Sequence, residues 1–213
     1  MKPFLRMLLA VIIALIIWIA IDLNYPYKTN IRKFNAEEVA RLDGEMWRSY
    51  YEKKKLKLFL QSSELMRKQF GVSFWRSQVM AYHAAKAAFT FKDGKNREDY
   101  NKALPDLVKY YAAINNISDT SFNVNEAARL ELEWWVIRRY RSEHPPAEWE
   151  NCLARNAEIV YHSPAGKFVS FAHMRVQAML MRDEKENQIT ENDWLQIHEL
   201  LTQAWKSFSD ALQ

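Results

Sequence analysis

Four ionisable side chains fall where helical periodicity places apolar ones: Asp43, Glu131, Arg175 and Arg182. Successive residues of a helix are about 100° apart, so each can be placed against the apolar arc of its own segment. Over residues 37–52 that arc runs through Val39, Ala40, Leu42, Met46, Trp47, Tyr50 and Tyr51, and Asp43 projects near its centre, close in angle to Tyr50. Over residues 126–139 Glu131 lies near the middle of an arc containing Ala127, Leu130, Trp134 and Trp135, with Arg138 alongside it two turns later. Arg175 and Arg182 share one stripe with Phe168, Phe171 and Met179. An unpaired internal charge costs several kcal/mol, so these side chains are expected to meet in one buried or half-buried polar cluster, with Tyr50 and Arg138 as members. Such a cluster has two uses. It can be a salt-bridge network that specifies helix packing and binds nothing, or a pocket for a small anionic or polar ligand.

Recognisable catalytic constellations do not occur. A di-iron carboxylate bundle needs two Glu-x-x-His pairs, whereas Glu158 precedes His162 by four residues and no such pair exists. His83 and His173, a pair that could be imagined holding a haem between helices, share stripes with Arg76, Lys86 and Thr90 and with Ser170 and Gln177, which reads as polar surface. His144 precedes two prolines and reads as a loop residue. There is no HExxH, GxSxG or phosphate-cradling glycine motif, and Cys152 is alone. No metal site and no cofactor is therefore expected. The net charge of +4 is too small to imply nucleic acid.

The elements that would position these residues are helices. Only four glycines occur, too few for the turns of a sandwich or barrel. Helix starts are marked by Asn35 with Glu38 and Asn123 with Glu126, and more weakly by Asn96 with Asp99 and Thr190 with Asp193. Ser73 stands where it can cap a helix beginning at Phe74. The pattern predicts helices at 36–52, 54–70, 74–91, 97–116, 124–143, 146–161, 164–184 and 191–211. Short loops make neighbours antiparallel, so the fold class is an all-α bundle or array of seven or eight helices. The pairs Tyr50/Tyr51, Tyr110/Tyr111 and Trp134/Trp135 cannot both face one narrow core, so one of each is expected at a groove or interface.

Ahead of this domain, residues 7–21 read MLLAVIIALIIWIAI, and flanking apolar residues extend the run to about twenty, enough to span a bilayer. Trp18 stands two places before Ala20, the one small residue near the end, which disfavours signal cleavage there. Residues 1–23 are thus expected to be a single-pass anchor, 24–35 a juxtamembrane linker and 36–213 the soluble domain. Positive charge is nearly balanced across the span, with Asp22 and Glu37/Glu38 tipping the domain toward the periplasmic side. Lys28, Arg32 and Lys33, with the run Lys53, Lys54 and Lys55, are either a solvated face or a surface resting on anionic headgroups.

The segments LDGEMWRSYYE (42–52), FGVSFW (70–75), AYHAAKAAFTFKDG (81–94), ALPDLVKYY (103–111), ARLELEWWVIRR (128–139) and ITENDW (189–194) resemble a family of bacterial single-pass, membrane-anchored helical proteins. The resemblance covers nearly the whole chain. It implies a bacterial inner-membrane protein and carries no activity, cofactor or catalytic residue. The function expected from the sequence is a tethered helical domain that binds another protein or organises a complex at the membrane. The alternative is a ligand-binding or enzymatic domain built on the Asp43, Glu131, Arg175 and Arg182 cluster.

Overall fold

The structure, a computed structural model, describes residues 3–213, apart from the side chain of Asn187; Met1 and Lys2, the start of the expected anchor, lie outside the described residues. The first helix, α1 (Pro3–Asn24), has 22 residues, none of its apolar window is buried, and it is long and apolar enough to cross a membrane. It is followed by α2 (Ala36–Tyr51), α3 (Lys55–Phe70), α4 (Phe74–Asp93), the short α5 (Arg97–Asn101), α6 (Leu104–Ile117), α7 (Val124–Arg139), α8 (Pro146–Tyr161), α9 (Val169–Lys185) and α10 (Glu191–Ala211). Among the described residues no strand occurs, only one isolated bridge between Thr29 and Ser118.

Local chemistry explains the boundaries. Asn35, Asn96 and Asn123 each accept from the backbone N–H three residues on, and Thr190 with Asp193 forms a complete capping box. Gly71 ends α3 with φ +67°, a left-handed conformation that costs other residues a Cβ clash. The single helix expected at 97–116 is instead two. Pro105 has no N–H to continue a helix but is tolerated in a first turn, so the chain breaks at Lys102–Ala103 and α6 restarts there. The expected cap at Ser73 is also corrected, because its hydroxyl makes no capping bond. Asp22 of α1 reaches across instead, accepting from the backbone N–H of Trp75 at 2.7 Å.

Each of the long helices after α1 packs on the next in sequence, and α10 packs back on α2. Among the described residues, eight helices (α2, α3, α4, α6, α7, α8, α9 and α10) thus close into a single-layer ring. The closing seam is tight because of Gly44, in mid-α2, where a Cβ would lie 3.0 Å from Nδ1 of His198 and 3.7 Å from a Leu201 methyl on α10. Asp43, one residue earlier, ties the same seam.

The segment 24–35 is not a free linker. It lies across one end of the ring and is built into it. Ile31 is fully buried, and Phe34 packs edge-on against Trp205. Thr29 donates its hydroxyl to the Phe70 carbonyl, and Tyr27 accepts from the Ser73 N–H. Arg32 donates to the carbonyls of Tyr161 and Leu212 and to the Ser163 hydroxyl, satisfying carbonyls that α8 and α10 leave open at their ends. Gly44→Val should lower stability by about 1–3 kcal/mol through overpacking of the seam, while Gly44→Ala changes it little because the exposed His198 ring can shift. Urea unfolding of the intact chain checks this, and an unchanged midpoint for the valine variant would contradict the close approach.

Candidate functional site

The ring encloses a cavity of about 590 Å³ to which all eight of its helices contribute. Its floor, at the end covered by residues 24–35, is made by Phe70, Ile114, Tyr161 and Phe208, all buried. Its exposed wall residues, Tyr50, Phe89, Lys92, Arg139 and Arg141, gather at the opposite end and form the mouth. Room for the cavity comes from small residues on one face of α4, Ala84, Ala85 and Ala88. The aromatic pairs depart from expectation, because both members of Tyr50/Tyr51, Tyr110/Tyr111 and Trp134/Trp135 line the cavity. A ring interior subtends a wider arc than a two-helix contact, so adjacent side chains can both face it.

The cluster residues are placed as follows. Asp43, 1% exposed on its side chain, is ion-paired with Arg175 and accepts a further hydrogen bond from the Trp205 indole at 2.8 Å. The guanidinium of Arg175 lies over the rings of Trp47, Trp205 and Phe171, at 5.3, 5.8 and 5.9 Å, so its charge is held by one carboxylate and an aromatic cage. Glu131 occupies another part of the wall, between Trp135, whose indole donates at 3.1 Å, and Tyr111, whose hydroxyl is 2.9 Å away. Burial pushes its carboxyl up from the ordinary value, against the pull of the Trp134 indole, the Tyr111 hydroxyl, Arg175 and the Trp135 indole. Burial likewise raises the phenols of Tyr110, Tyr111 and Tyr161, which therefore stay neutral.

Arg138 crosses the ring at the mouth. It forks onto Asp183 of α9 at 2.7 and 3.0 Å and donates to the Tyr51 hydroxyl of α2 at 2.6 Å, joining helices that are not ring neighbours. Arg182 does not join this group. It is buried outside the cavity, stacked 3.8 Å over the Tyr51 ring and donating to the Glu186 carbonyl. The structure therefore brings Asp43, Tyr50, Glu131, Arg138 and Arg175 around one cavity and separates Arg182 from them.

The basic residues expected at a bilayer surface divide as well. Lys53 and Lys54, in the turn between α2 and α3, and Lys55, which begins α3, sit at the mouth end, about 24 Å of helix away from the end where α1 joins. They cannot share one surface with Lys28 and Lys33, which are exposed on the floor segment, and Arg32 is committed to the carbonyls above. What gathers where α1 meets the ring is aromatic: Trp18 stacks on Phe74 and meets Trp75 edge-on, with Tyr25 exposed nearby.

His83 also departs from its expected solvated face, since it is hydrogen-bonded to Asp106 at 2.8 Å and largely covered. Burial works to raise the Asp106 carboxyl, but bonds from His83 and Lys86 outweigh it and hold it below its ordinary range. Cys152 is buried against the Leu130 carbonyl and its thiol is pushed up to about 12, which makes it inert at neutral pH. No group of three or more His, Cys, Asp or Glu that could hold a metal ion occurs among the described residues. The residues sequence reasoning missed are Asp183, Trp205 and Asn156. For Asn156 a signal existed, because it falls within the apolar arc of Leu153, Ala157 and Val160 on α8.

Asp43→Ala should destabilise by about 3–5 kcal/mol, because Arg175 is left as an uncompensated, mostly covered charge. Arg182→Leu should also lower the melting temperature, because the guanidinium stacked on the Tyr51 ring and bonded to the Glu186 carbonyl is lost. Calorimetry on both variants tests this, and an unchanged melting temperature for Arg182→Leu would contradict the buried placement of that residue. No family model, no curated protein and no solved structure matches this chain, which leaves the cavity's own geometry as the guide to function.

Proposed function

We propose that this chain is a ligand-binding domain held at the bacterial inner membrane by α1, with the domain on the periplasmic side, and that its central cavity takes a small amphipathic anion. The observation that carries the reading is the cavity itself. At about 590 Å³, closed below and open above, it falls in the size range of small-molecule sites. Its walls are mostly aromatic and aliphatic, which suits an apolar body. Asp43 and Asp183 are committed to Arg175 and Arg138, so Lys92, Arg139 and Arg141 leave the mouth with a net positive field that favours an anionic end group. The length and hydropathy of α1 and the aromatic collar at its junction support the membrane setting.

The reading of the chain as an interaction domain has one observation behind it. Leu56 and Leu60, one turn apart on α3, are 73% and 55% exposed. Both readings are tested by affinity purification of the intact protein in detergent, followed by mass spectrometry for small molecules and for protein partners. A stoichiometric amphipathic anion, lost when Ala84→Trp fills the cavity, is the expected result. Retention of the same molecule by the filled variant would sink the cavity reading. A stoichiometric protein partner that is lost on Leu60→Glu and kept on Ala84→Trp would favour docking through α3.

A further inference from the structure

Glu131 is a cavity carboxyl with no cation upon it. Its Oε1 accepts from the Trp135 indole at 3.1 Å and its Oε2 faces the Tyr111 hydroxyl at 2.9 Å. Arg175, the cation that acts on it, is already paired with Asp43. The Tyr111 hydroxyl also faces Oδ1 of Asn156, at 3.2 Å. The orientation of that amide is fixed, because its Nδ2 donates to the Ala127 carbonyl at 2.8 Å. A single hydroxyl proton thus stands between two oxygens, each of which would accept it. The conflict disappears when Glu131 itself carries a proton: Oε2 then donates to Tyr111, and Tyr111 donates to Asn156. Burial favours the same state and outweighs the Trp134 and Trp135 indoles, the Tyr111 hydroxyl and Arg175, which favour the ionised one.

We propose that Glu131 is a neutral, proton-bearing wall residue, and that its neutrality is what allows the cavity to accept an anion. This rests on the cavity being a ligand site. With Glu131 uncharged, the interior holds the balanced Asp43–Arg175 pair and the cationic mouth. Once it ionises, an uncompensated negative charge sits in the wall and repels an anionic ligand. The other ionisable groups that face it are Tyr110 and Tyr111 of α6, Cys152 of α8, Arg175 of α9 and, behind Arg175, Asp43 of α2. The phenols and the thiol titrate only at higher pH, and no histidine is among the residues lining the cavity. The direction follows from the raised carboxyl: binding is full in the ordinary carboxyl range, near 4.5, and is lost as pH rises through the folded-state midpoint.

The test compares two probes on the intact protein in nanodiscs of zwitterionic lipid. Anilinonaphthalene sulfonate carries a permanent negative charge, and phenylnaphthylamine has a similar aromatic body without it; Ala84→Trp supplies the lipid background for both. From pH 4.5 to about 9, affinity for the sulfonate should fall about tenfold, the neutral probe should bind equally throughout, and Glu131→Gln should hold the sulfonate at constant affinity. A glutamine variant that keeps the wild-type pH dependence overturns the proposal, as does an equal fall for both probes. Infrared spectroscopy of the wild-type chain reads the proton directly and does not need a ligand. A protonated-carboxyl band that is absent from Glu131→Gln and vanishes as pH rises supports the neutral state, and no such band overturns it. If neither probe gives a signal sensitive to Ala84→Trp, the cavity reading fails and the selectivity proposal falls with it, while the infrared band still decides the protonation state.

Discussion

A single buried carboxylate holds the two ends of the ring together. Asp43 of α2 takes its partners from α9 and α10, the last two helices of the chain, through Arg175 and the Trp205 indole. Each ring helix packs on its sequence neighbour, and the seam between α2 and α10 is where the start of the ring meets its end. Hydrophobic burial alone does not specify such a seam, because apolar stripes can slide past one another. A charged side chain that must find one guanidinium and one indole fixes both register and closure. Gly44 beside it lets the backbones come close enough for those bonds to form.

Much of this was legible in the sequence because the cues are local. Capping residues at Asn35, Asn123 and Thr190 and the stop at Gly71 place helix ends to within a residue or two. The polar residues on apolar faces, Asp43 and Glu131, are visible from periodicity because burial of a charge is rare without a partner. What periodicity cannot supply is which helix a face meets. Arg175 and Arg182 share a stripe, yet Arg175 meets Asp43 at the cavity wall, whereas Arg182, two turns on, lies over the rings of Tyr51 and Trp194 outside it. Ring closure itself is a property of eight successive packing angles, and no single residue encodes it. The break before α6 is hidden from periodicity for a different reason: the apolar pattern runs on through Pro105, and only the proline's missing N–H marks the interruption.

The floor illustrates how a connecting segment becomes part of the site. Residues 24–35 carry Lys28, Asn30 and Lys33, and composition alone suggests a solvated tether. Yet Thr29 and Arg32 supply the donors that the carbonyls at the ends of α3, α8 and α10 lack, and Ile31 and Phe34 fill the apolar gap between them. Helix termini gathered at one end of a ring present many unsatisfied carbonyls together, and a strand of chain with donors and apolar side chains is a direct physical answer.

The Asp22 cap on α4 makes the first helix a lever. Its last turn is bonded to the Trp75 N–H, Arg76 holds the Asp22 and Tyr25 carbonyls, and Trp18 is wedged against Phe74 and Trp75. Any torque that tilts α1, such as a bilayer of unsuitable thickness would exert, is delivered to the first turn of α4 without slack. Three turns further along, the same rod carries the alanines of the cavity wall, so mechanical stress on the greasy segment and the shape of the interior are two ends of one stiff connection.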